Sequence, residues 1–341
     1  MRHALIRPAL PLFFCLGAMV LASASMGYIK IPFADIIKIV LMSISDNEFI
    51  TKGINEAHAV IVMDVRLPRI LTCASVGASL ALSGVIFQGI LLNPLADPYT
   101  LGVSAGAAFG ASIALLLNLG ALFVSVPLSA FAGACATLFF VIYLSYTGKS
   151  SSPLLSSNSL ILSGIIVAAI LSAGISFLKY TADEQVGVII FWLMGSFASK
   201  TWMDAAVTAV FLLVGFMISL MFARDLNLIS LGERSASSLG VDTSKVTLIL
   251  LVTGSLLAAV SVSVSGIIGF VGLLIPHMVR LVTGPDNRVL IPLSMLLGAI
   301  LLLAADTVTR AVLPHEIPIG VLTALIGGPV FCWIFKRGKV G

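Results

Sequence analysis

The chain has 341 residues, 59% of them hydrophobic and 10% charged, where a soluble domain carries about 25% charged residues. With a mean hydropathy of +1.14, it cannot be a water-soluble globule, because too little polar surface would remain to cover the apolar excess. The net charge of +4, from 19 basic and 15 acidic residues, is too slight to mark a nucleic-acid binder.

Ten segments approach the roughly 20 apolar residues that cross a bilayer. In the first half they run from Leu10 to Tyr28, Pro68 to Leu91, Tyr99 to Asn118, Leu122 to Tyr146 and Leu160 to Tyr180. In the second half they run from Met203 to Phe222, Val246 to Val264, Gly266 to Val282, Val289 to Val308 and Ile317 to Phe335. Arg2 and Arg7 ahead of the first run could open a signal peptide, but Ala22, Ser23, Ala24 and Ser25 lead into more membrane-like sequence, so an uncleaved first span is expected. Ile36, Ile37, Ile39, Val40 and Leu41 alternate with Asp35 and Lys38, the pattern of an amphipathic helix lying on the membrane surface. Val186–Phe197 is apolar but too short to span, and is expected to be a half-helix buried against its neighbours.

Ten spans put both termini on one side. If that side is the cytoplasm, 11 basic residues lie inside and 8 outside, five of the eight in the long first loop. Long loops weigh least, so the positive-inside rule places both termini in the cytoplasm. Ser83–Pro94 (SGVIFQGILLNP) and Ser265–Pro276 (SGIIGFVGLLIP) match at six of twelve positions and would run in opposite directions, as in an inverted repeat around a central pathway.

Ion- and proton-coupled carriers keep ionisable groups at membrane depth. Here Asp204 and Asp306 fall near span ends and the interiors are furnished with Gly, Ala and Ser, which suits close helix packing. Cys15, Cys73, Cys135 and Cys332 are far apart in apolar runs and are expected to act as small core hydrophobes. His3, His58, His277 and His315 form no metal-binding spacing. Gly148-Lys149-Ser150 lacks the first glycine of a phosphate loop, Tyr143 standing in its place, and follows a membrane helix instead of a strand. ATP hydrolysis is therefore expected of a partner and not of this chain, with no cofactor or metal of its own.

The inside segment Ala223–Asp242 carries a short apolar stripe, Leu228, Leu231, Ala236 and Leu239, with Glu233, Arg234, Ser237 and Ser238 facing away and Gly232 and Gly240 as hinges. On these residues alone, lying on lipid and inserting into a groove of another protein are equal readings.

Over nearly its whole length the chain resembles the FecCD-type permeases of bacterial ATP-binding-cassette (ABC) importers for siderophores, haem and cobalamin. The stretches that carry this are RLPR (66–69), ALSGVIFQGILLNPLADPYTLGVSAGA (81–107), FWLMGSF (191–197), LGERSASSLGV (231–241), SGIIGFVGLLIPHMVRL (265–281) and EIPIGVLTALIGGPVF (316–331). The resemblance implies an all-α polytopic fold of the type II importer class, one permease domain over residues 1–341 in the bacterial inner membrane. It implies a homodimer with two cytoplasmic ABC ATPase subunits, which bind ATP and magnesium, and one periplasmic substrate-binding protein. Leu231, Gly232, Glu233, Arg234, Ala236, Leu239 and Gly240 would then form the coupling region gripped by the ATPase. Exposed arginines, Arg66, Arg69 and with them Arg310, would pair with acidic residues of the binding protein, a task suited to a planar, permanently charged guanidinium. Snorkelling to the interface is the competing reading of those arginines. Ser156, Ser157 and Asn158 occupy the place of a cytoplasmic gate, or of a flexible polar linker. The cargo implied is a metal chelate, ferric siderophore first, with haem, cobalamin or an oxyanion such as molybdate after it. A secondary transporter is the rival class, disfavoured by the missing charges at depth.

Overall fold

The computed structural model describes residues 2–27, 29–44, 55–119, 125–146, 156–311 and 315–338. Helix α1 (Arg2–Ser25) is followed by a surface helix α2 (Phe33–Ile44). A short α3 (Glu56–Val60) passes through a wide turn of π-helix, Ile61–Arg66, into α4 (Leu67–Ile90). Pro68 explains that turn, since it has no N–H to offer the carbonyl four residues back, and the ladder opens upstream of it. The chain continues with α5 (Val103–Leu116), α6 (Ser125–Ser145), α7 (Ser157–Thr181) and the short α8 (Val186–Leu193). After α9 (Trp202–Met221) come two small helices, α10 (Ala223–Ile229) and α11 (Glu233–Ser238). Helices α12 (Thr243–Ser265), α13 (Val271–Thr283), α14 (Asn287–Ala311) and α15 (Ile319–Gly338) complete it.

Each of the ten expected spans corresponds to one helix. Among the described residues six helical runs are long and apolar enough to cross a membrane, while four apolar helices, Ala9–Ser25, Val103–Leu116, Val271–Thr283 and Ile319–Ile334, are shorter. The fold is therefore an all-α polytopic membrane bundle, with α4 as its axis, packed by α14, α12, α9 and α13. Of the most apolar window of the α3–α4 run 83% is buried, against 28% in α7 and 22% in α9, so those two helices turn apolar surface outward. Glycines allow the closest crossings: Gly84 of α4 meets Gly272 of α13, and Gly77 meets Gly298 of α14, backbone against backbone. Without a hydrophobic drive between helices in lipid, such packing supplies much of the association energy.

Helices α5 and α13, of 14 and 13 residues, are only about 20 Å long at 1.5 Å per residue, short of a hydrocarbon core of about 30 Å. The missing length comes from non-helical backbone, residues 91–102 before α5 and 266–270 before α13. These two stretches meet. The Tyr99 hydroxyl donates to the Ile268 carbonyl and accepts from the Ile268 N–H at 2.9 Å, and Pro98 packs against Gly272. Irregular backbone is tolerated at depth only when its polar groups find protein partners in this way. The two echoing stretches differ locally: Ser83–Ile90 continues α4, whereas α12 stops at Ser265 and Gly266 turns out of the helix at φ +74. Both nonetheless lead into one of the two short helices.

Three expectations need correction. The half-helix α8 is not buried along its length, since only Ile189 is; the buried part is the turn behind it, where Phe197 is 1% exposed. That turn carries the Met194 and Gly195 carbonyls, which accept from the Gly320 and Ile319 N–H groups and so satisfy the open start of α15. Of the four cysteines only Cys73 is in the core, while Cys15 and Cys332 are exposed and Cys135 is half-buried. Their apolar surroundings in the sequence reflect outward, membrane-facing positions as much as a protein interior. The surface helix α2 forms as expected, but Ile36 and Ile39 are buried, so its apolar face is turned at least partly to the protein.

Candidate functional site

The predicted site residues collect at opposite ends of the bundle. At one end, α1 stops and leaves carbonyls without intrahelical partners. Arg310 donates from Nη1 to the Met26 carbonyl at 2.6 Å and from Nη2 to the Ser23 carbonyl and to Ser23 Oγ, the last at 2.6 Å. Arg66 donates from Nη1 to the Ala24 carbonyl and from Nη2 to that of Ile29. Two guanidiniums thus cap the negative end of the α1 dipole. Gly27 lies between them, and a side chain there would collide with the Arg66 guanidinium.

Arg69 turns to carboxylates instead. Its Nε lies 3.1 Å from both Asp306 oxygens, its Nη2 2.8 Å from Oδ1, and Nη2 also reaches Glu316. Asp306 is 1% exposed and stands between Arg69 and Arg310, whose Nε is 3.4 Å from Oδ2. A buried carboxylate flanked by two guanidiniums is the compensation that burial of charge requires. Lys200 adds another cation at this end, donating to the Val264 carbonyl at 2.6 Å, and burial holds its amine below the usual lysine range.

The arginines were expected to be exposed. Arg66 is 6% exposed, and the side chains of Arg69 and Arg310 are 14% and 10% exposed. The difference has a physical cause: the α1 carbonyls and Asp306 offer close, poorly hydrated acceptors that fit the guanidinium fork. Sequence reading missed Asp306 and Glu316 as their partners, which lie 237 and 247 residues from Arg69.

At the other end, Gly232 and Gly240 bracket α11 with φ values of +103 and +88. No atom would obstruct a side chain at either, so the left-handed backbone is what calls for glycine. The expected single apolar stripe is split. Ala236 is buried and Leu228 partly so, whereas Leu231 and Leu239 are 67% and 62% exposed. Arg234, Ser237 and Ser238 are exposed and Glu233 half-buried, and burial raises the Glu233 carboxyl above its ordinary range.

Helix α10 is the anchor. Leu226 packs onto Gly89 near the end of α4. Asn227 donates to Asp286 at 2.8 Å and accepts from the backbone and side-chain N–H groups of Asn287, both at 2.8 Å. Arg288 closes on Asp286 at 3.0 Å, and this bond first, with the Asn227 amide, holds the Asp286 carboxyl below its usual range. These contacts tie α10 to the end of α4 and to the start of α14. The heptapeptide ARDLNLI gave little hint of this, because Asn227 reads as an ordinary polar surface residue.

Ser156 caps α7 by accepting from the Ser159 N–H at 3.2 Å, and Ser157 donates to the Ile90 carbonyl at 3.2 Å, joining the start of α7 to the end of α4. Asn158 is exposed. All three line an open cleft of about 400 Å³ together with Leu92 and Gly232, Glu233, Arg234 and Ser235. The structure thus brings the gate candidates and the coupling candidates to the two walls of one cleft. Gly148–Ser150 lies outside the described residues.

Comparisons with known proteins identify the family and the fold. The model of the FecCD transport family matches residues 15–337. The chain is 43% identical to the cobalamin import system permease protein BtuC of Halobacterium salinarum over 288 residues, 84% of this chain and 76% of that one. It is 37% identical to the hemin transport system permease protein HmuU of Yersinia pestis over 343 residues, 98% and 97% of the two chains. It also superposes on a chain of a metal-chelate type ABC transporter in an inward-facing conformation, with a TM-score of 0.83, 34% identity and coverage of 96% and 98%. The chain belongs to the FecCD transport family and is an ABC importer permease.

Proposed function

We propose that this permease carries a metal chelate across the bacterial inner membrane, with a ferric siderophore as first cargo and haem or cobalamin next. Relatives named for iron chelates, such as the Fe(3+)-citrate permease YfmE of Bacillus subtilis (38% identical) and the Fe(3+) dicitrate permease FecD of Escherichia coli (37% identical), support an iron chelate. Hemin, cobalamin and molybdate permeases among the relatives make the cargo a matter for measurement.

The observation that carries the reading is the α10–α11 unit, which offers Leu231 and Leu239 outward while Leu226 and Asn227 bind it to α4 and α14. An ATPase subunit gripping the exposed leucines would move both helices and the cleft beside Ser156–Asn158. ATP and magnesium act on that subunit, shifting the permease between states by binding one more tightly than the other. We place this end in the cytoplasm and the arginine end in the periplasm, following the excess of inside basic residues. There the arginine cluster would face acidic residues of a binding protein, with Arg69 and Arg310 as contacts and Arg66 adding positive potential from beneath. The outward apolar faces of α7 and α9 are open to lipid and to a second copy of the chain, and we infer a homodimer with the pathway between copies.

The test is uptake into proteoliposomes holding the complex purified from its native membrane. Radiolabelled ferric siderophore, haem and cobalamin are offered with and without enclosed ATP. Accumulation that needs ATP and is lost when Leu231 and Leu239 are both replaced by Ser supports the proposal. Uptake that ignores ATP and collapses with the proton gradient overturns it in favour of a secondary transporter.

A further inference from the structure

The two carboxylates on Arg69 are not equivalent. Asp306 is enclosed at 1% exposure and shared with Arg310, whereas Glu316 is 43% exposed and meets Arg69 through Nη2 alone. Glu316 makes no other hydrogen bond among the described residues, and it lies in the non-helical stretch before α15. A chamber of about 40 Å³ is lined by Arg69, Asp306, Thr309, Ser196 and Glu316, room for about one water molecule beside the pair. The cluster's charges are also out of balance. Among the described residues Arg66, Arg69, Arg310 and Lys200 face Asp306 and Glu316, with Asp204 as a further carboxylate acting on Lys200, four cations against three carboxylates.

We propose that Glu316 is an exchangeable occupant of Arg69, holding the place that a carboxylate of the docking partner takes. The partner's surface therefore presents at least one Asp or Glu above Arg69, and docking replaces one ion pair by another instead of meeting a bare cation. Three facts lead there. The guanidinium is already oriented by its two-point bond to Asp306, which fixes the direction in which Nη2 points. Glu316 can swing out, because no other hydrogen bond among the described residues holds its side chain and residues 315–318 are not helical. Its departure leaves the excess of positive charge that an acidic partner would neutralise, and which would also steer the encounter.

Such a carboxylate is both a guard and a competitor. It spares Arg69 the cost of standing half-desolvated and incompletely paired, and it weakens docking by the strength of one partly exposed ion pair. Removing it should tighten the partner's grip only where Arg69 is present to receive the incoming group.

This inference rests on the docking reading above, and the experiment separates the two. The complex is placed in nanodiscs, and the probe is the periplasmic binding protein that co-purifies with it, isolated and titrated back by biolayer interferometry. Four forms are compared: native, Glu316→Gln, Arg69→Lys and the double variant. Lysine retains a cation beside Asp306, and thermal melts verify that each form is folded. Expected are an affinity gain of about two- to fivefold for Glu316→Gln, a loss of about tenfold for Arg69→Lys, and no gain from Glu316→Gln once Arg69 is Lys. A gain of equal size in both backgrounds would mean that Glu316 acts through general charge, overturning the exchange. An Arg69→Lys loss with no gain from Glu316→Gln leaves docking intact and removes the exchange. Affinities unmoved in all forms, or no binding protein in the capture, would overturn the docking reading and the exchange with it.

Discussion

Replacing Gly84 by Ala tests whether backbone contact between α4 and α13 holds the bundle together. An added Cβ would stand 1.8 Å from the Gly272 carbonyl oxygen and 2.6 Å from its carbon. Ordinary contact begins near 3.4 Å, so the helices must part by about 1.6 Å. A gap of that size forfeits more than half of the dispersion attraction over the crossing, and the obstacle is backbone, which cannot rotate away. Overpacking of this kind costs about 1–3 kcal/mol, and the upper end applies here. Alanine's better helix propensity returns about 1 kcal/mol, which leaves a net loss of about 2 kcal/mol. The assay is unfolding in mixed micelles titrated with a denaturing detergent, followed by tryptophan fluorescence. Gly17→Ala in α1 is the control, because nothing lies within 4 Å of its would-be Cβ. If the two variants unfold at the same midpoint, the close crossing does not carry the stability assigned to it.

Other expectations follow from the two ends. Asp306→Asn leaves Arg69 and Arg310 buried without their shared counter-ion and should cost about 3–5 kcal/mol in the same titration; a loss under about 1 kcal/mol would show that the guanidiniums are content with carbonyls. Leu231→Ala and Leu239→Ala should each change stability by less than about 0.5 kcal/mol, yet weaken ATPase-subunit binding by about 1 kcal/mol or more in a pull-down titration. The carboxyl of Asp286 is held below its unfolded value of about 3.9, so its contribution is complete above that pH and fades as pH falls through the lower folded value. With the residue about a third exposed, the effect should be about 0.5 kcal/mol or less. Amide exchange over Ala223–Ile229, corrected for intrinsic rate, should accelerate below pH 4 and should not in Asp286→Asn.

Helix positions were legible because a bilayer demands long apolar runs, and each of the ten runs became a helix. Where the runs were ambiguous, local backbone decided: the Gly266–Val282 segment is helical only from Val271, since Gly266 and Phe270 both take positive φ. The Ala223–Asp242 segment was visible through its two glycines and small helix, but its anchorage was not. Asn227 meets Asp286 59 residues away, and a single polar side chain gives no sign of a partner at that distance. The arginines were identified as residues of interest by their motif and their side of the membrane. Their burial was not foreseeable, because it depends on α1 ending 42 residues earlier beside Arg66 and on Asp306 arriving from the far end of the chain.

The junction of Tyr99 with Ile268 has a consequence for how the molecule comes into being. Its two halves are separated by 169 residues, and at roughly 5–20 residues per second a ribosome completes the second about ten to thirty seconds after the first. Within residues 91–102 most N–H groups close on local partners: those of Leu95 and Ala96 on Asn93, those of Tyr99 and Thr100 on Asp97, and that of Gly102 on Tyr99. That turn needs nothing from the chain still to be made. The Ile268 backbone does need Tyr99, because lipid offers no substitute partner. Biogenesis of this permease can therefore follow the order of its sequence, with the early turn as a finished seat on which the late one closes.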